Sequence, residues 1–142
     1  MNLEALKGSL KAHEGVNKLP YRDSLGNETV GCGHLLDAPM PDKLVDLILE
    51  FDISVAVEEL DRAVPSWRQH SEARQTVLAE LAFNLGMPRL GKFNRFWYAM
   101  EQKDYVTASQ ELLNSKWAEQ VKARALVLAN RLKDDVLIST NP

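Results

Sequence analysis

A single cysteine, Cys32, is all that the 142 residues contain, so an internal disulfide and a CxxC metal motif are both excluded. That usage is compatible with folding in a reducing compartment. Long apolar runs are missing as well. Nothing approaches the ~18 consecutive apolar residues that mark a membrane-spanning helix. The opening stretch MNLEALKGSLKAHE mixes charges with apolar groups where a signal peptide would carry an apolar core of roughly 7–15 residues. An excess of positive charge is absent too: the net charge of −3 argues against a general nucleic-acid binder. Glycine is sparse, seven in all, yet four of the seven (Gly15, Gly26, Gly31, Gly33) crowd into residues 13–34.

What is present is ordinary for a globular protein: 45% hydrophobic and 26% charged residues. The length suits one domain, with room for two lobes. Such a chain buries about two-thirds of the surface its unfolded form exposes, so it needs no staple. Charge is unevenly spread. Residues 37–61 hold eight acids against Lys43 alone, whereas residues 89–133 hold nine bases against four acids. The second half can therefore attract an anionic polymer despite the overall sign, although two solvated helix faces of opposite sign explain the pattern equally well.

Periodicity predicts a first helix over about Asn2–Glu14, with Leu3, Leu6 and Leu10 as its apolar stripe and Gly15 as its C-terminal stop. Between Leu19 and Leu36 the pattern turns to β punctuation, read as one hairpin, Tyr21–Asp23 against Glu28–Cys32, turning at Leu25-Gly26-Asn27. Pro41 and Asp42 open a long helix to about Val64, stopped by Pro65. Behind Ser71 as N-cap runs a helix ending at Gly86. Three further helical segments follow: Lys92–Gln102, Tyr105–Asn114 behind Asp104, and Lys116–Leu132. Residues after Lys133 read as a frayed tail. The fold class is α+β, mainly α: a small antiparallel β lobe (about 15–40), a connecting helix (about 41–64), and a helical lobe (about 65–142) that the N-terminal helix joins.

The stretch HEGVNKLPYRDSLGNETVGCGH, residues 13–34, carries the chemistry. Glycoside hydrolysis commonly pairs one carboxyl group kept protonated, to donate to the leaving oxygen, with one ionised carboxylate that activates water or attacks. Environment separates the two roles. Glu14, at a helix C-terminus packed against the sheet, is the candidate acid, since burial and the helix dipole both disfavour its charge. Asp23, on the exposed hairpin rim, is the candidate ionised partner, and Thr29 on the facing strand offers a hydroxyl to hold a water. Taken alone, Glu14 reads as a solvated surface residue and Asp23 as a turn-forming one. Cys32 reads as a small buried hydrophobe.

Glu14, Asp23 and Thr29, followed by Gly31-Cys32-Gly33-His34, resemble the Glu/Asp/Thr signature and the GxGH strand of the phage-type lysozymes. FNLG at Phe83–Gly86, GKFNRF at Gly91–Phe96 and SKWAEQVKARA at Ser115–Ala125 continue the resemblance over nearly the whole chain. It implies a peptidoglycan hydrolase that cleaves the β-1,4 bond between N-acetylmuramic acid and N-acetylglucosamine in a cleft between two lobes. By position, Glu14 is the general acid, while Asp23 and Thr29 handle the nucleophilic water, with an inverting outcome. Asn84 and Gly31 fall at substrate-binding positions. His34 and Asp52 match a structural pair tying sheet to long helix, and Arg124 matches an arginine that pairs with the catalytic glutamate. Such a pair would oppose burial and dipole, which leaves the net shift at Glu14 open. Trp117 matches a packed tryptophan. The His34–Asp52 segment is shorter than in the best-known relative, and Val121 replaces a common proline.

No metal or cofactor is expected. The implied partner is bacterial peptidoglycan, for a monomeric endolysin without membrane insertion that waits in the host cytoplasm and acts on the wall in the periplasm once the membrane is permeabilised. Two alternatives remain: a lytic transglycosylase, which has no use for Asp23 and Thr29, and a virion protein that binds peptidoglycan without cleaving it.

Overall fold

Helix α1 (Leu3–Glu14) begins where the Asn2 side chain accepts the amide of Ala5 at 3.0 Å, satisfying one of the N–H groups a helix start leaves free. It ends at Gly15, whose φ of +77° suits a residue without a Cβ. The chain, seen in a computed structural model that describes residues 1–137, is 67% helical with one three-stranded antiparallel sheet. It divides into two units, Met1–Leu47 and Ile48–Pro142.

The first unit holds α1, the sheet and the start of α2. Strand β1 (Asn17–Arg22) pairs with β2 (Glu28–Gly31), which pairs with β3 (His34–Leu35). The predicted hairpin is thus present but longer at its first strand, and Asp23 lies in the turn instead of the strand. The register slips between Asn17 and Tyr21, at Pro20, which has no N–H to offer a ladder. The third strand was not foreseen; its two residues are too few to show alternation. Between β2 and β3, Gly31 and Gly33 take φ of +71° and +87°. This left-handed geometry turns the chain at once and holds Cys32 out in solvent, against the expectation of a buried thiol. No residue of α1 is buried, so the Leu3, Leu6 and Leu10 stripe, predicted from spacing, stays exposed.

Helix α2 (Asp42–Ala63) starts in the first unit and continues into the second. Its 22 residues span roughly 33 Å. Of its apolar stripe only Ala56 and Leu60 are buried. A 3-10 turn (Pro65–Gln69) follows, pinned by Asp61: its carboxylate accepts the Trp67 indole N–H at 2.7 Å and the Arg68 guanidinium at 2.9 and 3.1 Å. Those hydrogen bonds, Arg68 first, hold the Asp61 carboxyl below the usual carboxylate range.

The second unit is built around α3 (Glu72–Leu85), where Val77, Leu78 and Leu81 are fully covered. Around it lie α4 (Met87–Leu90), α5 (Asn94–Glu101), α6 (Tyr105–Leu113), α7 (Lys116–Val121) and α8 (Ala123–Asp134). Their inward residues, including Leu90, Phe96, Met100, Leu112, Trp117, Leu128 and Leu132, form one continuous core. Each fully buried side chain of this size is worth about 1.5–3 kcal/mol. Ser71, Asp104 and Ser115 cap α3, α6 and α7 through their side chains. The predicted Lys116–Leu132 helix is in fact two, broken at Lys122 (φ +43°), and the predicted Lys92–Gln102 helix begins at Asn94. Arg74 locks the end of α8: its guanidinium donates to the Leu132 and Lys133 carbonyls at 2.7 and 3.1 Å and stacks 3.5 Å over the Tyr105 ring. Part of the expected tail, residues 138–142, lies outside the described residues.

Candidate active site

The three candidate catalytic residues lie in the first unit, and the hairpin turn organises two of them. Asp23 bends the chain back on itself: its Oδ1 accepts the backbone N–H of Leu25 at 2.9 Å and of Asn27 at 2.8 Å. This is the local bond by which an aspartate mimics a backbone turn. Asp23 N–H donates in turn to the Asn27 carbonyl at 2.9 Å. The same carbonyl accepts the Thr29 hydroxyl at 2.8 Å. Asn27 therefore ties Asp23 and Thr29 into one hydrogen-bonded unit. Sequence reading missed Asn27, although the Leu-Gly-Asn turn was its signal.

The chemistry of that unit differs from the expectation in two respects. Asp23 is half-buried instead of exposed, with its Oδ1 held by two backbone donors. Thr29 is buried, with 1% of its surface exposed, and its proton is committed to Asn27. A hydroxyl so engaged has only its lone pairs left, so it can accept from a water but not donate to one. Tyr21 lies opposite it on the facing strand, where the two are Cα partners.

Glu14 closes α1 on its last turn, two residues before β1. It is exposed, not packed as expected. Its helix carries Lys11 and His13 in the same turn. Gly31 sits opposite Asn17 in the β1–β2 ladder, next to the start of β1 that follows Glu14. His34 begins β3 opposite Val30 and is exposed.

In the second unit, Asn84 closes on Trp117: its Oδ1 accepts the indole N–H at 2.5 Å. Trp117 is 2% exposed, which makes it core, as read from the sequence. The carbonyl end of Asn84 is thus already occupied by a structural partner, leaving the amide nitrogen for other work. Asp52 and Glu59 on α2, with Phe83 and Gly86 of α3, line a concavity of about 280 Å³. Arg124 is paired with Glu80 at 3.0 Å. Glu80 lies on α3, one turn before Asn84, and no local pattern marks it as an arginine's partner. Among the described residues no group of His, Cys, Asp and Glu side chains is placed to hold a metal ion, and no helix is long and apolar enough to cross a membrane.

Comparison with known proteins accounts for the arrangement. Residues 11–134 match the phage lysozyme family, which takes in Glu14, Asp23, Thr29 and every helix of the second unit. A probable T4-type lysozyme 2 of Dictyostelium discoideum is 24% identical over 87% of this chain and 90% of its own length. The pre-baseplate central spike protein Gp5 of Enterobacteria phage T4 is 26% identical over 82% of this chain, which spans 25% of that longer protein. A second Dictyostelium protein, probable T4-type lysozyme 1, is 21% identical over 87% of the chain and 90% of its own length. With one small antiparallel sheet, a helical remainder and a match over nearly all of its length, the protein belongs to the phage lysozyme family and is a glycoside hydrolase.

Proposed function

We propose that this lysozyme cleaves the β-1,4 bond between N-acetylmuramic acid and N-acetylglucosamine in bacterial peptidoglycan, with Glu14 as general acid and Asp23 and Thr29 positioning the water. The observation that carries the reading is the Asn27 tie. It bonds the carboxylate and the hydroxyl to one residue of the hairpin turn, while the candidate acid stands at the end of a helix. Asp23 then accepts the proton of the attacking water as base, and Thr29 orients that water by accepting its other proton. Displacement by water on the face opposite the leaving group gives inversion. Glu14 donates to the departing glycosidic oxygen.

Asn84 and Gly31 bind substrate in this proposal, the first through its amide nitrogen and the second by letting the polymer approach a backbone without a Cβ. His34, Asp52 and Arg124 give structural support, the last through its pair with Glu80. The biological reading is a monomeric endolysin, held in the host cytoplasm and released to the wall when the membrane is permeabilised. Similarity to the spike protein favours a second reading, a lysozyme carried on a virion.

Mass spectrometry of purified peptidoglycan after digestion tests the chemistry, with wild type beside Glu14→Gln. Reducing-end muramic acid products that vanish in Glu14→Gln at unchanged melting are expected. Anhydro products would identify a transglycosylase and refute the water-positioning roles. Wild-type turnover by Glu14→Gln would refute Glu14 as the acid.

A further inference from the structure

The nine bases of residues 89–133 are not scattered over the helical unit. Four of them converge. Arg89 of α4, Lys92 of the turn after it, Arg95 of α5 and Lys116 at the start of α7 line a single concavity of about 550 Å³. One acid, Glu111 of α6, shares it. All four cations are exposed, and among the described residues none forms an ion pair. Arg89 alone has a side-chain partner, the neutral Gln120, at 3.1 Å, which orients its fork without neutralising it. The floor is different. Phe96 and Trp117 are almost wholly covered, and the half-buried Phe93 lies beside them. A cavity of this size, apolar at its base with a few polar groups at its rim, has the build of a small-molecule site, which typically measures about 300–1,000 Å³.

Four cations against one anion leave this rim strongly positive on a protein whose net charge is −3. The net charge repels anions at long range, whereas this local field attracts them within about 10 Å at ordinary ionic strength. The charge is more than one carboxylate needs. A phosphate monoester, carrying about −1.5 to −2 at neutral pH with three acceptor oxygens, matches it better. The two guanidinium forks suit bidentate contact with phosphate, and the two ammonium groups supply point charge. The apolar floor asks for carbon beside the phosphate, so a bare inorganic anion leaves it unused.

We propose that this concavity is a binding site for a phosphorylated sugar unit, in which Arg89, Lys92, Arg95 and Lys116 hold the phosphate and the Phe96–Trp117 floor faces the sugar ring. The inference does not depend on the catalytic roles of Glu14, Asp23 and Thr29. For a wall-degrading enzyme such a site adds affinity for glycans bearing phosphate esters, at a distance in sequence from the catalytic residues.

Calorimetric titration with N-acetylglucosamine 6-phosphate, beside N-acetylglucosamine and inorganic phosphate, tests it. The phosphorylated sugar is expected to bind saturably, more tightly than either control, and more weakly as salt rises. Arg95→Gln combined with Lys116→Gln should weaken it by about tenfold or more, the loss expected when charge-assisted hydrogen bonds are removed. Lys18→Gln on the exposed face of β1 should change nothing. Glu111→Gln, which removes the opposing charge, should tighten binding; this variant keeps the test sharp if the double substitution unfolds. Equal affinity for the phosphorylated and unphosphorylated sugars overturns the proposal. So does indifference to both the Arg95/Lys116 and the Glu111 substitutions, and so does tighter binding of inorganic phosphate than of the sugar phosphate.

Discussion

His70 gives the most direct handle on the stability of the helical unit. It sits between the 3-10 turn and α3, 8% exposed, with Nδ1 2.8 Å from the Tyr105 hydroxyl of α6 and its ring edge-on to Tyr105 at 5.6 Å. Arg74 lies over the other part of that tyrosine ring and reaches the end of α8. Burial, then Lys103, then Arg74 lower the His70 pKa from its ordinary value near 6.5. The sign follows. In the unfolded chain His70 takes up a proton near pH 6.5, whereas the folded protein resists it. The neutral histidine's contribution to stability is therefore complete above about pH 6.5 and is lost as pH falls toward the folded value. Within that window one extra proton bound by the unfolded state costs up to about 1.4 kcal/mol per pH unit. Urea unfolding from pH 7.5 to 5 should show this slope in wild type and lose that component in His70→Gln, which cannot titrate. The other two histidines, His13 and His34, are exposed and common to both proteins. Parallel pH profiles for the two proteins would refute the reasoning.

Asn84→Ala removes the acceptor of a buried indole N–H. The unpaired donor should cost about 1–3 kcal/mol, read as a lowered melting temperature; unchanged melting with a raised KM would show that Asn84 serves substrate alone. Thr29→Val keeps the volume but loses the bond to Asn27. It should destabilise by roughly 1 kcal/mol and sharply lower kcat, and Thr29→Ser should recover much of the activity; full activity in Thr29→Val would remove the hydroxyl from the chemistry.

Local signals were legible in the sequence. Caps at Ser71 and Asp104 and stops at Gly15 and Gly86 depend on one or two residues, and each stands where expected. Features set by the path of the backbone were not. Trp117, Val121, Ala125, Leu128 and Leu132 follow one helical period straight through Lys122, so periodicity hid the break between α7 and α8. Cys32 is apolar enough for a core, but the turn between two left-handed glycines leaves its side chain no interior to enter. Arg124 carries no local sign of its partner, since Glu80 is 44 positions away.

Asp23 illustrates how the two readings of one residue combine. From the sequence it was either a turn former or a catalytic carboxylate. The turn uses Oδ1, held by two backbone N–H groups, while Oδ2 meets only the Asn27 side-chain amide at the long distance of 3.5 Å among the described residues. One oxygen is thus fixed by the fold and the other is lightly held. Anchoring Oδ1 also fixes the plane of the carboxylate, which is the restraint a base needs if a single water is to be presented from a constant direction. A turn-forming aspartate is therefore a suitable place for this chemistry, and Asp23→Asn separates the functions: the amide oxygen can still accept the turn's N–H groups, but the side chain no longer takes up a proton. Folding that survives in Asp23→Asn while cleavage fails would show both roles in one side chain; retained cleavage would leave Asp23 with the turn alone.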